Sequence, residues 1–157
     1  MSLNDDFRAA MRRLAATVTL VTMDAGGRPL GMVATAVSSL CADPPSLLLC
    51  VNRTASMHAD LVAAPGFCIN ILHREQEAMA RIFADPAQRE ARFAAAGWSE
   101  EGGIPVLSGA QALLLCDRVQ QMDYGTHSII IGAVRRVRLR EDIDPLLYLD
   151  GRFTRCA

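Results

Sequence analysis

Ala34-Thr35-Ala36-Val37-Ser38-Ser39, then Asp43-Pro44-Pro45, then Leu47-Leu48-Leu49-Cys50-Val51-Asn52-Arg53 is the stretch on which the fold turns. Small and hydroxyl-bearing residues end one predicted strand, a proline turn follows, and an apolar strand exits into Asn52-Arg53-Thr54-Ala55-Ser56. Two strand ends then present hydroxyls, an amide, a guanidinium and exposed backbone N–H groups close together. Hydroxyls and amides donate to phosphate oxygens and arginine binds them bidentately, so this chemistry suits a phosphate-bearing cofactor.

Working outward, Phe7, Ala10, Met11 and Leu14 recur at helical spacing, with Asn4 as the expected N-cap and Asp5 and Asp6 in the first turn. Thr17 to Met23 is β-branched and apolar, and Asp24 to Arg28 supplies a turn before Pro29 to Ala36, which predicts a hairpin. Ser46 to Val51 reads as a fully apolar strand. Ser56 caps a short helix through Ala63, Pro65-Gly66 ends it, and Phe67 to Leu72 is strand again. Glu75 to Phe83 is a helix with Ala78, Met79 and Ile82 on one face, and Asp85-Pro86 starts another through Phe93. Gly97 to Gly103 is a loop anchored by Trp98. Gln111 to Arg118, His127 to Leu139, Leu146 to Tyr148 and a segment at Phe153 complete the strands.

Short strands joined by hairpins, with helices inserted mid-chain, predict a mainly β barrel with peripheral helices. No G-x-G-x-x-G follows the first strand, which argues against a Rossmann dinucleotide fold. Residues 1–157 read as one domain, with Met1-Ser2-Leu3 set aside as an expression scar. A hydrophobic fraction of 51% and mean hydropathy of +0.19 hint at a subunit interface. A net charge of −1 argues against nucleic acid as a partner. Every basic side chain is arginine, which excludes a Schiff-base lysine. Cys41, Cys50, Cys68, Cys116 and Cys156 form no C-x-x-C pair and no metal spacing, so no metal site is expected and a reducing compartment is. The polar start and the absence of a long apolar run argue against a signal peptide and a membrane partner, and imply a cytoplasmic location.

The chain resembles the short-chain flavin reductases, the small reductase components of two-component flavin monooxygenases. The resemblance runs from Phe7-Arg8-Ala9-Ala10-Met11 through Phe67-Cys68-Ile69-Asn70-Ile71-Leu72, Glu77 to Phe83, Arg92-Phe93 and Trp98. It continues through Pro105-Val106-Leu107, Gly125-Thr126-His127 and Leu146-Leu147-Tyr148 to Gly151-Arg152-Phe153. Threonine before His127 matches the branch of 4-hydroxyphenylacetate 3-monooxygenase reductases. The resemblance implies a homodimeric, Greek-key split β-barrel with flavin near the dimer interface. It implies FMN as cofactor, with FAD as the alternative, NADH or NADPH as co-substrate, and a separate oxygenase that receives reduced flavin by diffusion.

It also implies residue roles. Ala34, Thr35, Ala36, Val37, Ser38 and Ser39 would line the flavin ring and phosphate, with alternation placing Thr35 and Val37 on one face and Ala36 and Ser38 on the other. Gly31 would let a planar ring lie against backbone. Beside Cys50 and Val51, Asn52 would reach the ribityl or ring edge while Arg53 and Ser56 share the phosphate. Asn70, Arg81, Arg92, Phe93, Tyr148 and Arg152 fall in matching stretches and join the cofactor set, and His127 would position the nicotinamide nucleotide. Each feature has a plainer reading too: serines and threonines form turns, and a strand-start histidine is often structural. Arg136, Arg138 and Arg140 share one strand face, which reads as solvated. His58 and His73 read as surface or helix-end residues. Other readings of the same chain are a reductase of a corrinoid or another acceptor, a non-catalytic flavin- or partner-binding barrel, and a heme-binding barrel using His58 and His73.

Overall fold

The structure, a computed structural model, describes residues 2–156. Helix α1 (Leu3–Met11) is capped by Ser2, whose hydroxyl accepts from the Asp5 N–H while the Asp5 carboxylate accepts from the Ser2 N–H. The cap thus falls on Ser2 and not on Asn4, within the tripeptide set aside as a scar; Met1 lies outside the described residues. Strand β1 (Ala16–Thr17) is followed by β2 (Thr19–Asp24) and β3 (Pro29–Ala34), which form the expected hairpin. Gly26 and Gly27 close it at positive φ, a conformation that glycine alone takes without a Cβ penalty.

Beyond Ala34 the structure departs from the sequence reading. The chain breaks at Thr35-Ala36, and Val37–Ala42 forms a separate strand, β4, which pairs with β5 (Pro45–Asn52). Ala34 is still paired with Thr19 of β2, whereas Val37 is already paired with Leu49 of β5. The Ala36 carbonyl accepts from the Cys50 N–H, so the change of partner is complete within two residues. Simple alternation across residues 35–38 therefore does not hold.

Helix α2 (His58–Ala63) is only six residues long and starts after Met57, with no side-chain cap, so Ser56 is not its N-cap. Strand β6 (Gly66–Ile71) and a short turn at Arg74–Gln76 lead to α3 (Glu77–Ala84), which buries Ala80 and Phe83 and leaves Ala78 exposed. The helix expected through Phe93 is a 3-10 segment, Pro86–Ala91, capped by Asp85 accepting from the Ala87 N–H. The Trp98 loop is in fact strand β7 (Trp98–Glu101), paired with β8 (Ile104–Leu107). The long hairpin β9 (Ala112–Tyr124) and β10 (His127–Leu139) precedes β11 (Leu147–Leu149) and β12 (Arg152–Thr154).

Seven strands form one antiparallel sheet in the order β3-β2-β6-β9-β10-β5-β4, with smaller sheets β1-β11-β12 and β7-β8. The expected mainly β architecture is present. The large sheet is not a hydrogen-bonded closed barrel, because β3 and β4 are its two edges. Those edges are nevertheless joined by Thr35-Ala36 alone. Six strand spacings would put them about 29 Å apart in a flat sheet. Three Cα steps from Ala34 to Val37 reach about 11 Å at most. The sheet must therefore curl, and Val21 of β2, Leu49 and Val51 of β5, Phe67 of β6 and Ile130 of β10 share one buried cluster.

Asn70 ties the strands together from inside. Fully buried, it donates from Nδ2 to the Leu20 carbonyl and the Thr22 hydroxyl, both at 3.0 Å, and accepts the Leu107 N–H at 2.8 Å. The Thr22 hydroxyl donates onward to the Pro105 carbonyl at 2.6 Å, so β2, β6 and β8 are stapled by one satisfied network. These bonds use both amide hydrogens and the carbonyl oxygen of Asn70, and it has no surface through which to reach a cofactor. Buried polar groups left without partners cost about 1–3 kcal/mol each. Asn70→Ala should therefore lower unfolding stability by roughly 2–4 kcal/mol, read as a lower urea midpoint at unchanged m-value.

Candidate functional site

Thr35, on the link between the two sheet edges, lies where three clefts meet. One, of about 500 Å3, is walled by Val33, Ala34, Arg81, Tyr148, Arg152 and Phe153. Tyr148 and Phe153 meet edge-on at 5.5 Å between ring centres, and the Arg81 guanidinium stands 4.9 Å over the Phe153 ring while Glu77 accepts two of its hydrogen bonds. The carbonyls that flank the link are occupied: Ala34 accepts from Thr19 and Ala36 from Cys50. The Thr35 and Ser39 hydroxyls carry no hydrogen bond among the described residues, whereas Ser38 donates to the Ser39 carbonyl. Free hydroxyls, an aromatic wall and two guanidiniums are chemistry for a flat, phosphate-bearing ligand.

A second group forms where β5 ends beside the β9–β10 turn. His127 is paired across the strands with Asn52 on one side and Tyr124 on the other; Val51 faces Ser128 and Cys50 faces Ile129. The Arg53 N–H donates to the Thr126 carbonyl at 2.9 Å, which pins the loop after β5 to the turn. The Asn52 Oδ1 accepts from both the N–H and the hydroxyl of Thr54, leaving the Nδ2 hydrogens available. The Thr126 hydroxyl lies 2.8 Å from Nδ1 of the exposed His127, which orients the ring and leaves Nε2 toward solvent or a ligand.

Beneath this tip runs a chain of three polar groups that sequence reasoning missed. His58 Nε2 lies 2.7 Å from the hydroxyl of fully buried Ser128, and that hydroxyl donates to Asp123 at 2.6 Å. Serine has one proton, and here it goes to the carboxylate, so His58 must be the donor to Ser128. A serine so engaged is no nucleophile, and the trio braces α2, β9 and β10 together. The usable signal was Gly125-Thr126: a two-residue turn places Asp123 opposite Ser128.

Several expected site residues belong instead to the scaffold. Arg92 donates to the carbonyls of Gly31 and Phe83, both at 2.9 Å, and Phe93 packs on Trp98 at 4.8 Å between ring centres. The planar ring against Gly31 is that of Phe83, since a Cβ there would meet Phe83 Cε1 at 2.5 Å. Arg136 and Arg138 are not merely solvated: each reaches Glu101 at 2.7 Å, holding β7 against β10, while Arg140 pairs with Glu75 and Asp142. His73 is 2% exposed and caps the turn at Arg74–Gln76, so it is a helix-end residue but not a surface one. With His58 bonded to Ser128, neither histidine is a free iron ligand, and no cluster of three potential metal ligands occurs among the described residues. Burial pushes the thiols of Cys68 and Cys116 up to about 12, which keeps them protonated and inert. No helix among the described residues is long and apolar enough to cross a membrane.

Comparison with known proteins bears on the same chain. The model of the flavin reductase like domain family matches residues 11–157. The reductase component of the FADH(2)-dependent resorcinol hydroxylase of a Rhizobium species is 39% identical over 155 residues, covering 97% of this chain and 86% of that protein. The FMN reductase (NADH) RutF 2 of Rhizobium rhizogenes is 40% identical over 149 residues, covering 94% and 86%. Among solved structures, the Streptomyces globisporus NADH:FAD oxidoreductase SgcE6, in complex with NAD and FAD fragments, superposes with a TM-score of 0.90 at 34% identity, covering 99% and 93%.

The His58–Ser128–Asp123 trio makes its own acid-pH prediction. Hydrogen bonds from Ser128 and then Gln121, helped by the charges of Arg53 and His58, hold the Asp123 carboxyl below the usual carboxylate range. A depressed folded-state pKa adds stability that is full above about pH 4 and is lost as pH falls through the folded value. Asp123→Asn keeps the acceptor but not the charge. Its urea midpoint should therefore fall less than the parent's between pH 6 and strongly acid solution, as measured by denaturation at each pH.

Proposed function

This chain belongs to the family of flavin reductase-like domains, and on that premise we propose that it is an NADH-dependent flavin reductase supplying reduced flavin to a separate flavin-dependent monooxygenase. The observation that carries the reading is the cleft at the sheet-edge link, where Thr35 and Ala34 meet Arg81, Tyr148, Arg152 and Phe153. Its residues fit a flavin: the free Thr35 hydroxyl offers a donor, the Tyr148–Phe153 pair a flat apolar wall, and Arg152 a positive charge with no ion pair among the described residues, while the free Ser39 hydroxyl lines the neighbouring cleft that also meets Thr35.

When bound, the nicotinamide and flavin themselves supply the hydride transfer. The residues of this chain bind and orient. Thr126 sets the His127 ring through Nδ1, and Nε2 is the atom proposed to meet the nicotinamide nucleotide. Asn52, across the strand from His127, offers its Nδ2 donors to the flavin side of the same opening. Holding two reactants in register is a large catalytic effect in its own right. Ser128 has its proton committed to Asp123 and the buried thiols are protonated, so neither acts as a nucleophile.

Finer features follow as part of the same proposal. The curled sheet takes the split-barrel form as one domain over residues 1–157. A second copy covers the apolar side chains of Phe7, Met11 and Leu14, which stand 61%, 47% and 66% exposed. Five free cysteines suit the reducing cytoplasm. The Gly125-Thr126-His127 motif points to an aromatic hydroxylase, of the 4-hydroxyphenylacetate kind, as the consumer of reduced flavin.

Steady-state oxidation of NADH with FMN, FAD and riboflavin as competing acceptors tests the reading, and no turnover with any flavin would overturn it. His127→Ala should lower kcat/KM for NADH severalfold to about a hundredfold with FMN affinity nearly intact, since one lost contact to a charged ligand costs that much. A lower melting temperature and weaker FMN binding with unchanged NADH kinetics would instead make His127 structural.

A further inference from the structure

The tip of the β9–β10 hairpin carries His127, yet little packs around it. Every residue from Met122 to His127 is exposed, so no buried apolar side chain fixes where the tip stands. The segment beside it, Asn52 to Met57, runs from the end of β5 into α2, a helix of six residues with no side-chain cap and one buried residue, Leu61. The β5–β10 ladder ends at the pair Asn52 and His127. Beyond that ladder, residues 53–58 reach the hairpin through two hydrogen bonds among the described residues. One is the backbone bond from Arg53 to Thr126, and the other joins His58 to Ser128.

The place of that second bond matters for the site. Ser128 and His127 are consecutive on one strand, so their side chains leave it on opposite faces, Ser128 fully buried and His127 exposed. A grip on the Ser128 hydroxyl from within therefore fixes the ring that the next residue presents outside. Asp123, which accepts from Ser128 at 2.6 Å, is paired with it across the turn, so both arms of the tip are held. Nε2 of His58 carries a hydrogen in the tautomer this bond requires and also in the charged ring. The direction of donation, from His58 to Ser128 to Asp123, is thus the same in either state.

We propose that His58, Ser128 and Asp123 are positioning residues for the nicotinamide nucleotide. Together they hold His127 in register with the Asn52 loop, and they act on the nucleotide through His127. The proposal rests on the flavin reductase reading above. Where cofactors carry the chemistry, orientation is the main thing the protein supplies, so a tip that wanders loses rate even with every contacting side chain intact.

Steady-state kinetics at saturating FMN give the first test. His58 is only half-buried and Asp123 is exposed, so variants at both positions should fold. His58→Ala and Asp123→Ala should each raise KM for NADH about threefold to tenfold, the effect of losing one neutral hydrogen bond. His58→Gln keeps a side-chain N–H donor and should stay within about twofold of the parent. In a His127→Ala background, His58→Ala should add less than about twofold, because a positioning residue has no further effect once the group it positions is gone. An equal loss in both backgrounds, or a lower Tm with unchanged KM, overturns the proposal.

Amide hydrogen exchange reads the same grip without turnover. In His58→Ala the Arg53 amide, bonded to Thr126, should exchange about tenfold faster while the amides of β6 keep their parent rates; a general loss of stability would speed both. If the parent oxidises no NADH but this local change is present, the positioning of the tip stands and the flavin reductase reading falls. Unchanged exchange at Arg53 overturns the proposal whether or not the parent turns over.

Discussion

Two residues, Thr35 and Ala36, span the distance between the opposite edges of a seven-stranded sheet, and the rest of the structure depends on that constraint. A chain that must leave β3 at one edge and enter β4 at the other within three Cα steps leaves the sheet no choice but to curl. Curling brings β2, β5, β6 and β10 to one apolar cluster and lets Asn70 staple β2, β6 and β8 from within. It also creates a seam. Backbone at the seam cannot be paired on both sides, so clefts open there and unpartnered hydroxyls collect in them. Fold and site have a common origin in that short link.

The distribution of polar partners separates scaffold from site. Asn70, Thr22 and Glu101 are buried or nearly so and are held by partners on neighbouring strands. Arg92 is mostly committed in the same way, through two backbone carbonyls. Thr35, Ser39, the Asn52 amide hydrogens and His127 Nε2 are not committed, and they lie along the seam or at the hairpin tip beside it. Unsatisfied donors at a surface cleft cost little while water is present, and they are available when a ligand replaces it. An enzyme whose cofactors carry the chemistry needs this kind of surface more than it needs a nucleophile or a perturbed base.

Much of this was legible in local pattern. The hairpin at Asp24 to Arg28, the apolar run Ser46 to Val51, the strand Phe67 to Leu72 and the long strand after His127 follow from alternation, β-branching and turn residues, which act between near neighbours in the chain. The functional class was legible as well, because the ordered set of segments from Phe7 to Phe153 matches a known family. Local pattern was weaker at the caps and short pairings. Ser2 took the cap expected of Asn4, and Trp98–Glu101 became a strand because Ile104–Leu107 lay beside it.

The sequence by itself therefore determined that this is a β-rich reductase with a hydroxyl-bearing segment at 34–39 and an Asn-Arg pair after the next strand. Only the tertiary structure decided which of those groups share a cavity. Gly31 proved to face Phe83 and Asn70 the core, while Ser56 parted from Arg53 and joined Arg28 and Arg89. The physical reason is separation along the chain: Arg89 lies 33 residues beyond Ser56, and no periodicity or turn signal reports on contacts between segments so far apart. Those contacts are set by how the sheet curls, and the curl is a property of all seven strands together.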